Sequence, residues 1–143
     1  MAGPEDMPLD DALEALSGAG LLALRYDAMG AALEIDLLPD AAASGNAQGA
    51  WRLRLTGVTA LHVSGENRGG ARPVIYGAAV FEKGGKPKGW RAEALEDAMD
   101  LLGCDAPGAA FAGGARLFVL DPEDGAPLVA VQFAGLSLTA EGA

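Results

Sequence analysis

Two short stretches of this chain alternate strictly between apolar and charged side chains. Leu33, Ile35 and Leu37 are separated by Glu34 and Asp36, and Trp51, Leu53 and Leu55 by Arg52 and Arg54. Successive side chains of a β-strand point to opposite faces, so each stretch reads as a strand with one face in a core and one in water. A helix would scatter the same residues around its axis. The two charged faces carry opposite signs. That predicts neighbouring strands, with Arg52 and Arg54 facing Glu34 and Asp36 across the exposed side of one sheet.

The same period runs through much of the remaining sequence. Leu22, Leu24 and Tyr26 alternate with Ala23, Arg25 and Asp27, and the turn residues Asp27 to Gly30 link them to the Leu33 strand as a hairpin. Gly57 breaks the Trp51 strand, and Leu61 and Val63 resume it. Further strands are expected over roughly 73–82, 116–120 and 127–139. In the last of these the apolar residues are odd-numbered at Val129, Val131 and Phe133 but even-numbered at Leu136 and Leu138. One face can hold both sets only if a bulge or bend at Ala134-Gly135 shifts the phase.

Helical spacing appears twice. Leu9, Leu13 and Leu16 with Ala12 predict a short helix closed by Gly18. Leu95, Ala98, Met99 and Leu102 predict a second, closed by Gly103. Six to eight strands with two short helices, and no regular βαβ alternation, predict an α+β fold: a mainly antiparallel β-sandwich or roll with two short helices. A chain of 143 residues fits a single domain over 1–143. Its 30 Ala and 21 Gly fill little volume, so the core must rest on 20 Leu, 7 Val and a few aromatics.

Charge narrows the function classes. The formal net charge is −10 and the pI about 4.3, the wrong sign for a general nucleic-acid or anionic-membrane binder. No apolar run approaches the ~18–20 residues of a membrane span. The acidic opening MAGPEDMPLDD lacks a basic-then-apolar signal pattern, so a cytoplasmic protein is expected. A lone cysteine excludes an intramolecular disulfide and a cysteine-rich zinc site.

Candidate chemistry is sparse. His62 is the only histidine, so no two-histidine metal spacing exists. Cys104 follows a helix-ending glycine in an acidic neighbourhood, which opposes thiolate formation. Gly18 to Ala23 matches the loose fingerprint GxGxxA, yet a helix precedes it and a strand follows, the reverse of what pyrophosphate binding needs. Asp121 to Gly125 concentrates carboxylates without the EF-hand spacing and reads as a hairpin turn. Lys83, Lys86, Lys88 and Arg91 surround Trp90, which reads as the tip of a hairpin. The sequence therefore assigns no catalytic, cofactor-binding or metal-ligating residue.

What remains is a surface. Residues 1–40 carry a net −8, residues 41–92 a net +6 and residues 93–143 a net −8. Much of this is expected to be internal charge matching. The excess falls on Glu93, Glu96, Asp97 and Asp100 of the second helix and on Asp121, Glu123 and Asp124 of the last turn. These seven are the candidate partner-binding residues. Such a surface accelerates association with a basic protein.

The segments LLALRYDAMGAALEIDLL, WRLRLTGVTALHV and ARLFVLDPEDGAPLVAVQFAGLSLT resemble those of small bacterial YxiG-like proteins and immunity proteins of polymorphic toxin systems. The resemblance covers about two-thirds of the chain, with Ala/Gly-rich insertions at 41–50 and 103–115 departing from it. It implies a non-enzymatic binder, an immunity-type inhibitor whose partner is a basic toxin. A rival reading is a β-lined ligand-binding domain or enzyme with two acids converging in a cavity, from among Glu34, Asp36 and Asp121. A third is a structural subunit that pairs edge strands into a homodimer.

Overall fold

The two alternating stretches are neighbouring strands in the expected register. In the computed structural model, which describes residues 4–39, 49–63, 74–104, 106–122 and 129–140, Glu34 lies opposite Arg54 and Asp36 opposite Arg52. The strands are β1 (Gly20–Asp27), β2 (Ala32–Leu38), β3 (Trp51–Thr56), β4 (Ala60–Val63), β5 (Ile75–Phe81), β6 (Arg116–Pro122), β7 (Val129–Phe133) and β8 (Gly135–Ala140). They form two four-stranded antiparallel sheets, ordered β1-β2-β3-β8 and β4-β7-β6-β5. The helices are α1 (Leu9–Ala15), α2 (Trp90–Leu101) and a single turn, α3 (Pro107–Ala110). This is the expected α+β architecture, with α3 and a 3-10 turn at Ala112–Gly114 added where the sequence showed only small residues.

The layers follow from the alternation. Leu33, Ile35, Leu37, Trp51, Leu53 and Leu55 of the first sheet meet Phe118, Leu120, Val131 and Phe133 of the second, and α1 contributes Ala12, Leu13 and, just past its end, Leu16. Full burial of a side chain the size of Phe118 or Phe133 stabilises by about 1.5–3 kcal/mol. The far face of the second sheet is buried too. Leu117, Val119, Ala79, Phe81 and Ala130 pack beneath α2 and the buried Ala110 and Phe111. A strand covered on both sides has no wet face, which is why 117–120 reads as an unbroken apolar run.

Two details depart from the sequence expectation. A bulge between Leu21 and Ala23 leaves Leu22 exposed, so Leu21 and Leu24, rather than Leu22 and Leu24, pack on the core. On α2 the fully buried positions are Ala94 and Ala98, with Leu95, Met99 and Leu102 flanking them half-buried. Close approach to the sheet selects alanine at the centre of that face.

The parity change near residue 134 marks a change of sheet. The chain bends at Ala134, leaving the second sheet as β7 and entering the first as β8. Its partner does the same at Gly57, between β3 and β4. The two form one long ribbon in which residues 57–59 face only 133–134, so the extra residue lies on the Gly57 side. Backbone bonds continue through the corner: Ala134 N–H donates to Thr56 O at 2.9 Å and Thr59 N–H to Gln132 O at 2.9 Å. Gly57 sits at φ +63°, and a Cβ there would meet the Ala134 Cβ at 2.8 Å. Arg116 braces the bend by donating to Ala134 O at 2.9 Å, with its guanidinium 4.9 Å from the Phe133 ring centre. No helix among the described residues is long and apolar enough to cross a membrane.

Candidate functional site

Charge on the outer face of the first sheet is internally matched. Arg52 donates to Asp36 at 3.0 Å, Arg54 to Glu34 at 3.2 Å, and Arg25 reaches Asp36 at 2.9 Å and Glu34 at 3.5 Å. The hydrogen bond from Arg52, opposed by partial burial and reinforced by Arg25, holds the Asp36 carboxyl below the usual aspartate range. Glu34 and Asp36 are thus committed to arginines on an open face. Asp121 belongs to the other sheet, so the three acids do not converge in one cavity.

The acids of α2 are arranged differently. Gly89, at φ +62°, turns the chain into the helix, and Ala94 and Ala98 fix which face is buried. Positions 93, 96, 97 and 100 then fall on one solvent-facing arc, and all four side chains are exposed. Asp121, at the end of β6, comes up beneath one flank of this arc. Its carboxyl is pushed above the usual aspartate range, first by burial and then by the negative charges of Asp97 and Glu93. Strand and helix therefore gather three of the candidate residues, with Glu96 and Asp100 extending the same stripe. Among the described residues no cation forms an ion pair with any of the five. Glu123 and Asp124 lie outside the described residues.

This arrangement favours cationic side chains. Like-signed carboxylates raise one another's proton affinity, and an approaching lysine or arginine relieves that repulsion. Among the described residues no three His, Cys, Asp or Glu side chains are grouped to hold a metal ion.

The remaining candidates lie apart. His62 is half-buried on β4, opposite Ala130. Cys104 packs at the edge of the helical layer, its Sγ 4.0 Å from Leu102 O. Of the basic cluster, Arg91 stacks on Trp90 at 4.8 Å and, with Lys83 and Lys86, lines a groove beside β5. Trp90 meets Tyr76 edge-on at 5.7 Å and covers Gly77, where a Cβ would lie 2.6 Å from the indole. Trp51 is buried between the sheets, whereas Trp90 packs against the cluster beneath α2.

Sequence reasoning missed one polar hub. Gln132 accepts from Thr59 Oγ1 at 2.7 Å and donates from Nε2 to the carbonyls of Ala109 and Ala110 at 3.0 and 2.9 Å. It ties the sheet corner to α3 and satisfies carbonyls that a one-turn helix leaves unpaired. A lone glutamine inside the apolar run VAVQF was the available signal. Comparison with protein-family models, with curated proteins and with solved structures returns no match, so function rests on the chain's own geometry.

Proposed function

We propose that this chain is a non-enzymatic binding protein whose acidic α2 face, with Asp121 at its flank, receives a basic protein partner. An immunity-type inhibitor of a basic toxin is the form of that reading to which the sequence resemblance points. One contrast carries it. Glu34 and Asp36 of the first sheet are matched by arginines at 2.9–3.5 Å, whereas the acids of α2 gather around Asp121 without a matching cation among the described residues. Folding that only solvated these charges would not need to crowd them against a half-buried carboxyl.

The test begins with capture of the partner from the native host at low salt, followed by association kinetics. Exposed charges separated by more than about 8 Å are screened at physiological salt. The association rate should therefore fall about tenfold or more from low to moderate salt, with dissociation little changed. Glu96→Gln, Asp97→Asn and Asp100→Asn together should slow association and leave the fold intact, because none of the three faces the core. An association rate flat with salt and indifferent to these changes would remove the electrostatic reading.

A further inference from the structure

We propose that the groove between α1 and the 82–87 turn binds a small amphoteric molecule, holding its carboxylate among Lys83, Lys86 and Arg91 and its ammonium group at Asp10 and Glu14. The inference uses none of the α2 acids and stands whether or not those acids bind anything.

Charge singles this groove out. Among the described residues Arg25, Arg52, Arg54 and Arg116 each pair with a carboxylate. Lys83, Lys86, Lys88 and Arg91 pair with none, and three of these four line one groove of about 1110 Å³. Asp10 and Glu14 line it too, and they also form no ion pair among the described residues. Exposed charges of both signs therefore share one cavity without closing on one another. Glu82, the remaining acid of the lining, is engaged by Arg116 at 3.6 Å.

The fold keeps the two sets apart. β5 forms a covered floor: Ala78 packs with α1 in the core between the sheets, whereas Ala79 and Phe81 pack beneath α2. Asp10 and Glu14 lie four residues apart on α1, so one helix face presents both to the groove. At the end of β5 the chain turns at Gly84, φ +83°, with Gly85 N–H donating to Glu82 O at 3.1 Å. That turn carries Lys83 and Lys86. Arg91 joins them from α2, its guanidinium braced on the Trp90 ring at 4.8 Å.

These parts suit one chemistry. A planar guanidinium held in place offers a carboxylate two parallel donors, and the neighbouring ammonium groups add charge without demanding geometry. Between the charged walls lie Leu13 and Phe111, both buried, and the half-buried Leu95. A concave apolar surface with a few polar groups around it is the usual make-up of a small-molecule site. A simple anion would meet Asp10 and Glu14 across the groove, and a simple cation would meet the lysines. A molecule with both charges, separated by an apolar body, satisfies both walls at once.

The probe is 4-(aminomethyl)benzoate, compared by titration calorimetry with 4-methylbenzoate, which lacks the amine, and 4-methylbenzylamine, which lacks the carboxylate. The full chain should bind the first at least about tenfold more tightly than either of the others, with shifted resonances at Leu95 and Phe111. Lys83→Gln with Lys86→Gln should weaken 4-(aminomethyl)benzoate and 4-methylbenzoate about three- to tenfold and leave 4-methylbenzylamine no weaker. Asp10→Asn with Glu14→Gln should weaken 4-(aminomethyl)benzoate and 4-methylbenzylamine by a similar factor and leave 4-methylbenzoate no weaker. All four side chains are exposed, so both variants keep the fold. The α2 triple-amide variant should bind the probe normally, which separates this proposal from the preceding one. A dissociation constant for 4-(aminomethyl)benzoate above about 1 mM would overturn the proposal. So would equal affinity for the three compounds, or a double variant that weakens all three alike.

Discussion

Gly57→Ala is the sharpest probe of the corner at which the chain passes from one sheet to the other. Two effects add. At φ +63° an alanine occupies the left-handed region, which costs about 1–2 kcal/mol. Its Cβ would also stand 2.8 Å from the Ala134 Cβ, forcing a shift between strands that are hydrogen-bonded on both sides of the bend. Overpacking of this kind costs about 1–3 kcal/mol, at the lower end here because Ala134 is exposed and able to give. The sum is about 2–3 kcal/mol. In urea, with a slope of about 2 kcal/mol/M, the midpoint should fall by about 1–1.5 M. Ala134→Gly removes the colliding atom and leaves the backbone strain untouched. The double variant should therefore be about 1 kcal/mol more stable than the two single effects predict. A Gly57→Ala midpoint within about 0.25 M of wild type, or strict additivity with Ala134→Gly, would refute the crossing at this point.

Three further outcomes are expected. Arg52→Glu with Arg54→Glu should destabilise by about 1–2 kcal/mol, since exposed pairs contribute about 0.2–1 kcal/mol each. Adding Glu34→Lys and Asp36→Lys should recover part of it, and Arg25→Glu the rest, because Arg25 bridges both acids; additive urea midpoints would show the ladder unformed. The two shifted carboxyls should act oppositely on stability. Asp36, held low, contributes stability that is complete above the ordinary aspartate pKa and lost as pH falls through its native value. Asp121, held high, weakens the fold as pH rises from the ordinary value through its own, so Asp121→Asn should raise the melting temperature at pH 7 and leave it unchanged well below that range. Finally, His62→Gln and Cys104→Ser should each leave partner binding within a factor of a few, and a hundredfold loss in either folded variant would show a role for that side chain in binding.

The pairing of β2 with β3 was legible because two residue types of opposite charge alternate in phase, and period two admits one reading. The change of sheet at Ala134 was legible only as a fault in that period. Alternation says which face a residue takes, not which sheet the face belongs to, and the compensating residue sits across the ladder at Gly57. The helix face misled in a particular way. Leucine and methionine mark an apolar stripe, but where helix and sheet touch most closely only Ala94 and Ala98 fit. The exposed acids of α2 could be read from spacing. Their meeting with Asp121 could not, because it depends on how α2 lies over β6. β5 was legible as a strand, but its place at the end of the second sheet was not: Gly77, Ala78 and Ala79 have too little side chain to show a period.

The ribbon also sets the order in which this protein can assemble. Asp27 and Ala32, at the turn of the β1–β2 hairpin, are five residues apart, whereas Val63 and Val129, where the ribbon's partners first meet, are 66 apart. Loop closure grows as about (3/2)RT ln n, so joining the ribbon costs roughly 2 kcal/mol more than closing the hairpin. At about 5–20 residues per second, synthesis delivers β7 some 3–13 s after β4. Through that interval the nascent chain holds β3 with one flank bare, its Leu53 and Leu55 without the strand that later lies beside them. High contact order of this kind slows folding and lengthens exposure to misassociation. Residues 129–140 thus decide when the first sheet stops being a hazard to its neighbours.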